Sequence, residues 1–235
     1  MFIKRYLFSF TVIFFTANFV NAVKPEKNAG EIHERILTID THCDTPMAIV
    51  RNGFDMGKRN EPPESRVDFV RMKEGGLDAI FFAAFTGQKP RTPENITNAY
   101  NMAHKMIDAT YQACNNYNDL AVIATAASDA KRVAAKGMRA IYIGMENGFP
   151  IGTSLNRVKE FYDRGVRYIT LCHSYNNDIC DSSTDPDGPE HNGLSKFGEE
   201  VVKEMNKLGI IIDISHISDE SFLSLLRKVE EAVNI

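Results

Sequence analysis

The chain has 235 residues, a net charge of −4, 43% hydrophobic and 25% charged residues, an ordinary globular profile. Its mild acidity leaves no basic footprint for nucleic acid, so no nucleic-acid partner is expected. Heptad runs, low-complexity tracts and fixed-period repeats are absent from the sequence, which excludes coiled-coil and solenoid architectures.

The first 22 residues differ from the rest. Lys4 and Arg5 precede a mostly apolar run over residues 6–20, and Val20-Asn21-Ala22 offers small residues around a cleavage point. That is the three-part pattern of a secretory signal peptide. The run is short for a bilayer span, so the expectation is cleavage after Ala22, an exported protein (periplasmic or secreted) and no stable membrane span afterwards. Residues 23–30 read as a polar leader, and residues 31–235 as the folded domain. Four cysteines, Cys43, Cys114, Cys172 and Cys180, include no C-x-x-C pair, which argues against a cysteine zinc site. An exported protein permits a disulfide; Cys172, at the end of an apolar strand, reads as a small core residue.

Residues 31–35 form a short amphipathic lead-in. Residues 36–40 read as a short buried strand that runs into His42-Cys43-Asp44. Residues i and i+2 of a strand point the same way, so continued extension projects His42 and Asp44 together and turns Cys43 away. An H-x-D triplet is common by chance, and by itself fits a surface turn equally well. Residues 46–52 predict a helical turn, residues 53–65 a polar loop, and residues 67–74 a helix stopped by Gly75-Gly76. LDAIFFAAF, residues 77–85, fits a strand buried on both faces. Thr92 and Pro93 open a helix as N-cap and first helical residue, continuing to about residue 117; His104 on it reads as structural. A sixth strand is possible over residues 120–125, followed by a helix over 128–136 capped by Ser128.

RAIYIGM, residues 139–145, is a buried strand with Glu146 at its end. A helix over 155–164 leads to the strand 166–172, with His173 at its end. Residues 176–193 form a long polar loop; its DSSTDPDG segment lacks the spacing of a calcium loop and reads as a solvated lid. His191 in that loop and His33 upstream read as non-functional. A helix over 197–208 precedes the strand 210–214, which ends in Ser215-His216, and Ser218 caps a last helix.

Strands alternating with helices argue for an α/β fold with a parallel sheet. Four strand ends carry His42 with Asp44, Glu146, His173 and His216. A (β/α)8 TIM-type barrel brings strand ends to one face; a doubly wound sheet usually shows a Gly-rich first turn, and none follows Asp40. The barrel is therefore the expectation. His42, Asp44, Glu146 and His216 supply a nitrogen–oxygen donor set suited to zinc or a similar divalent ion. Glu146 has two oxygens with which to bridge paired metals, which hold a hydroxide at neutral pH and polarise a carbonyl. His173 is placed to donate to the oxyanion that forms. The set suits hydrolysis of an amide or ester.

The segments IDTHCDTP, MENG, RYITLCHSYNN and GLSKFGEEVVKEMNKLGIIIDISHIS resemble the membrane dipeptidase (renal dipeptidase) family of zinc peptidases, within the amidohydrolase superfamily. The resemblance runs from about Ile36 to Val233. It implies a (β/α)8 barrel with two Zn2+ ions, one bound by His42 and Asp44, the other by His216, with Glu146 bridging. It implies that His173 contacts the substrate, a dipeptide, and steadies the tetrahedral intermediate. Family members carry a further histidine, an aspartate and a substrate-holding arginine on later strands. No residue here matches those three, so the expectation is an incomplete barrel lacking its C-terminal strands, a C-terminally truncated chain with weak or no activity alone. A homodimer is the expected assembly, if any. Two alternatives stay open: an amidohydrolase-type enzyme acting on another amide, ester or lactone, and a non-catalytic exported binding module that kept the fold.

Overall fold

The computed structural model describes residues 29–61 and 66–233. The signal-peptide reading of residues 1–22 lies outside the described residues. The chain divides into two compact units, residues 1–35 and 36–235. Of the first, one short helix is described, α1 (Ala29–Arg35), with no buried residue. Among the described residues no helix is long and apolar enough to cross a membrane.

The second unit is built from β1 (Ile39–Cys43), α2 (Thr45–Asn52), α3 (Phe69–Glu74), β2 (Ala79–Ala83), α4 (Pro93–Asn116), β3 (Ala121–Ile123), α5 (Ala127–Ala134), β4 (Arg139–Met145), a 3-10 turn (Phe149–Ile151), α6 (Asn156–Asp163), β5 (Val166–Thr170), α7 (Lys196–Leu208), β6 (Ile211–Asp213) and α8 (Asp219–Val233). All strand pairs are parallel, in the order β1-β2-β4-β5-β6. This is the α/β half-barrel expected of an incomplete TIM-type fold, with its strands ending on one rim.

The sixth strand, β3, exists but lies off that path. Ala140 N and Gly144 O bond toward β2, whereas Arg139 N donates to Leu120 O and Ile141 O accepts from Ala124 N. β3 thus occupies the lower part of one edge of β4, and β5 pairs with the upper part through Met145 and Ile169. Ile80, Phe82 and Ile141 pack outward with Phe69 and Met72 of α3. Ile143, Met145, Val166 and Ile169 pack outward against α4, α6 and α7. Ala79, Ala140 and Tyr142 face the other side, where α5 covers the lower end with Ala130 and Val133.

Three local expectations need correction. β1 begins at Ile39, three residues late, and is exposed over four of its five residues. The cause is pairing: among the described residues β1 bonds only β2, so nothing covers its other edge. Second, α5 starts at Ala127, and its first turn is held by Asp129, whose carboxylate accepts from Thr125 N and Ala126 N at 3.0 Å; Ser128 lies inside the helix. Third, the loop over 176–193 is anchored from within: Ser183, Thr184, Pro186 and Asp187 of its DSSTDPDG segment are exposed, as a solvated segment is, but buried polar residues at its base tie it down. Asp181 is fully buried and accepts from the backbone of Glu190, His191 and Gly193. The buried Asn177 donates to Leu171 O and accepts from Ile179 N and Cys180 N.

Other expectations stand. Thr92 accepts from Asn95 N as N-cap of α4 and Ser218 accepts from Ser221 N at the start of α8. Cys172 is fully buried, and Cys43 turns into the outer core.

Candidate metal centre

The five candidate side chains arrive at the rim from four strand ends, His42 and Asp44 sharing that of β1. His42 sits within β1. Asp44 follows at the N-cap of α2 but makes no capping bond, although aspartate is among the best N-caps. Its Oδ1 lies instead 3.6 Å from His42 Nε2. The chain has already left the extended conformation there (φ −82°, ψ 16°), so the turn into α2, and not strand alternation, brings the two side chains together.

Glu146 directly follows β4 and is 6% exposed. Its two oxygens face different partners. Oε2 lies 3.3 Å from His42 Nε2, while Oε1 lies 3.3 Å from His216 Nε2 and 3.5 Å from His173 Nε2. His42, Asp44 and Glu146 form one group of converging donors, and Glu146, His173 and His216 a second. The structure therefore brings together all five side chains singled out in the sequence. His173 stands as close to Glu146 as a ligand would, in addition to its expected place as an oxyanion donor.

The spacing bears on whether a cation fits. A direct charged hydrogen bond between imidazole and carboxylate sits at about 2.7–2.9 Å. Donors about 2.0–2.1 Å from a tetrahedral ion are separated from one another by about 3.4 Å. The observed 3.3–3.6 Å matches the second case. The donor types, imidazole and carboxylate, suit zinc and related divalent ions. The residues present fit a metal.

Without a cation the imidazoles and carboxylates shift one another's titration. His42 is raised to about 10 by Asp44 first and then Glu146, and Asp44 is correspondingly lowered by His42. His173 is lowered by burial and by the neighbouring His216, whose ring centroid lies 4.2 Å away. It is thus a neutral imidazole at neutral pH. Ser174 Oγ lies 2.9 Å from its Nδ1; a hydroxyl donating there leaves the imidazole proton on Nε2, toward Glu146.

Two backbone features support the rim. His216 has φ 70° and Asn147 φ 76°, left-handed values uncommon for residues other than glycine. The polar loop holds the first: His216 O accepts from Ser183 N at 2.9 Å and Ser183 Oγ at 3.1 Å. Asn147 is locked by its side chain, which donates to Thr86 O and accepts from Phe149 N. The loop's function is thus to shape the site from outside it, a task its composition did not disclose.

A cavity of about 420 Å³ opens inside the half-barrel beside the cluster, lined by Phe81, Tyr168 and Asp213 as well as His42, Glu146 and His216. Tyr168 and Asp213 were not anticipated. Asp213 accepts from Thr170 Oγ1 at 2.5 Å and from Ser215 N and Oγ; burial works against its charge, but these bonds outweigh it and keep its pKa lowered.

The family model for membrane dipeptidases, peptidase family M19, matches residues 26–232. The chain belongs to this family. Among curated relatives it is 31% identical to the dipeptidase tcpJ of Claviceps purpurea over 74% of this chain and 42% of the relative. It is 33% identical to the dipeptidase verJ of Clonostachys rogersoniana over 66% of this chain and 41% of the relative. The chain thus spans about two fifths of the length of these relatives. The crystal structure of the probable dipeptidase PvdM from Pseudomonas aeruginosa superposes with a TM-score of 0.78 at 28% identity, covering 85% of this chain and 52% of that one. A metallopeptidase from Rhodobacter sphaeroides, solved with a phosphinate mimic of L-Ala-D-Ala, shares the fold at a TM-score of 0.70 and 22% identity, over 82% and 62% of the two chains. As a member of a metallopeptidase family, this chain has its candidate His/Glu metal site where the strands end.

Proposed function

We propose that His42, Asp44, Glu146 and His216 form a two-zinc centre with His173 beside it, and that the chain's chemistry is hydrolysis of dipeptides outside the cytoplasm. One observation carries the reading: the buried Glu146 carboxylate splits its oxygens between His42 on one side and His216 and His173 on the other. His42 and Asp44 would hold one ion, His216 the other, and Glu146 both. Divalent ions there supply an activated water and polarise the scissile carbonyl.

The chain's own groups do the rest. Glu146, buried and with one oxygen toward each side, would fix the two halves of the centre at a set separation. His173, neutral and with its proton on Nε2, donates to the carbonyl oxygen as that atom gains charge. The cavity beside Tyr168 and Asp213 gives the substrate room next to these groups. On the His216 side the described residues offer only Glu146 and His173 as companions, so turnover by this chain alone is expected to be low. The apolar run of residues 6–20 after Lys4 and Arg5 supports export.

The test is metal content followed by a substrate panel. The chelator-stripped chain is expected to take up zinc, and the Glu146→Gln variant to take up markedly less. Loaded wild type is expected to cleave dipeptides in preference to lactones and simple esters. A chain that binds no zinc refutes the centre; a chain that binds zinc but favours lactones or esters refutes the substrate class.

A further inference from the structure

Tyr168 of β5 reaches His42 of β1 across the two strands between them, β2 and β4, and its hydroxyl is 2.9 Å from His42 Nδ1. Its placement is built into the sheet. Tyr168 pairs in register with Gly144 of β4, and a Cβ on Gly144 would overlap the tyrosine ring at Cζ and Cε1. Glycine in the interior of a strand weakens it and marks close approach by another group; here the group is this ring. Phe81 tilts against the same ring at 5.3 Å between centroids, and Tyr168 is 5% exposed. The ring has no freedom to move its hydroxyl.

We propose that Tyr168 is the positioning residue of the metal centre, its hydroxyl oxygen accepting the Nδ1–H of His42 so that the Nε2 lone pair is aimed between Asp44 and Glu146. The assignment rests on the metal-centre reading above. An imidazole that offers Nε2 to a cation keeps its proton on Nδ1 and donates it there; a fixed acceptor at that position sets both tautomer and ring orientation. Tyr168 is the hydrogen-bond partner of His42 Nδ1, and the two rings lie only 25° from coplanar, 6.2 Å apart. Gly144 thereby acts at second hand: it leaves room for the ring whose hydroxyl orients the histidine.

The experiment compares wild type with Tyr168→Phe, which keeps the ring, its seat on Gly144 and its packing on Phe81, and removes only the oxygen. The full chain is stripped of metal and titrated with cobalt(II), followed by visible absorption. Loss of such an orienting partner lowers metal affinity by about 10- to 100-fold. The expected result is a loss of that size and an altered cobalt spectrum, at an unchanged melting temperature of the stripped protein. Cobalt binding within twofold of wild type, or an unchanged cobalt spectrum, overturns the assignment of Tyr168. A wild-type chain that takes up no cobalt overturns the metal-centre reading itself, and the assignment with it.

Discussion

Glu146 Oε1 lies 3.3 Å from His216 Nε2, although the two residues come from strands that are not neighbours: β5 runs between β4 and β6. The pair crosses over the end of β5, where His173 also projects, so two long side chains from strands about 10 Å apart meet at one point of the rim.

Metal binding is expected to stabilise the fold. Zinc at about 100 times its dissociation constant adds about 2.7 kcal/mol, which for a chain of this size raises the melting temperature by about 5–10 °C. Glu146→Gln removes the shared carboxylate and is expected to abolish most of that rise. Calorimetry of stripped and zinc-loaded protein measures both; an equal rise in the variant would show that zinc binds elsewhere.

The metal-free protein carries a pH signature. His42 has a folded pKa of about 10 because of Asp44 and Glu146, above its unfolded value of about 6.5. A raised pKa contributes stability that is fully present below about 6.5 and is lost as pH rises through about 10. Urea unfolding of stripped wild type is therefore expected to weaken from pH 6 to pH 10, and the His42→Gln variant to lack that part of the decline. Matching pH profiles for the two proteins would count against the ion-pair geometry.

The packed polar loop has a tight fit against α7. A Cβ on Gly198 would overlap the carbonyl oxygen of Ile179, a backbone atom with little freedom to move, whereas one on Gly87 meets nothing within 4 Å. Overpacking of this kind costs about 1–3 kcal/mol. Gly198→Ala is expected to lose stability of that order and to displace the loop that bonds His216, so cobalt affinity falls with it. Gly87→Ala is expected to change neither, which denaturant titration and cobalt binding of the two variants will show.

Asp129 tests the start of α5 independently of the site. Arg132 first, then the N–H groups of Thr125 and Ala126, hold its pKa down at about 2, below the ordinary carboxylate value of about 3.9. A lowered pKa contributes stability that is present above about 3.9 and is lost as pH falls through about 2. Asp129→Ala is expected to cost about 1 kcal/mol at pH 7, as a lost helix cap does. The gap to wild type should close toward pH 2. Chemical denaturation across that range checks it, and a gap independent of pH would deny the carboxylate its role.

Much of this arrangement is legible in the sequence because its signals are local. Thr92-Pro93 and Ser218 announce their helices through capping chemistry, and the runs 77–85 and 139–145 announce buried parallel strands through unbroken apolarity. His42, Asp44, Glu146, His173 and His216 stand out because each follows an apolar run. β1 misled for the same reason: Ile36 and Leu37 look like core, yet they are exposed and precede the strand. Asp181 and Asn177 sit in a stretch whose composition suggests solvent, and only their partners reveal them as buried. Tyr168 had one sequence signal, the glycine inside RAIYIGM, but a glycine states that something comes close without naming it.

By itself, the sequence determined the kinds of element, their order and the chemical identity of the five donors. Periodicity, capping and turn residues act over a few positions and need no knowledge of the rest of the chain. Tertiary structure alone decided that Glu146 turns one oxygen to His42 and the other to His216, that Asp44 gives up its cap to face a histidine, and that Tyr168 reaches His42 across two strands. These facts depend on strand order, register and the curvature of the rim, which arise from contacts between residues distant in the chain and leave no spacing to read.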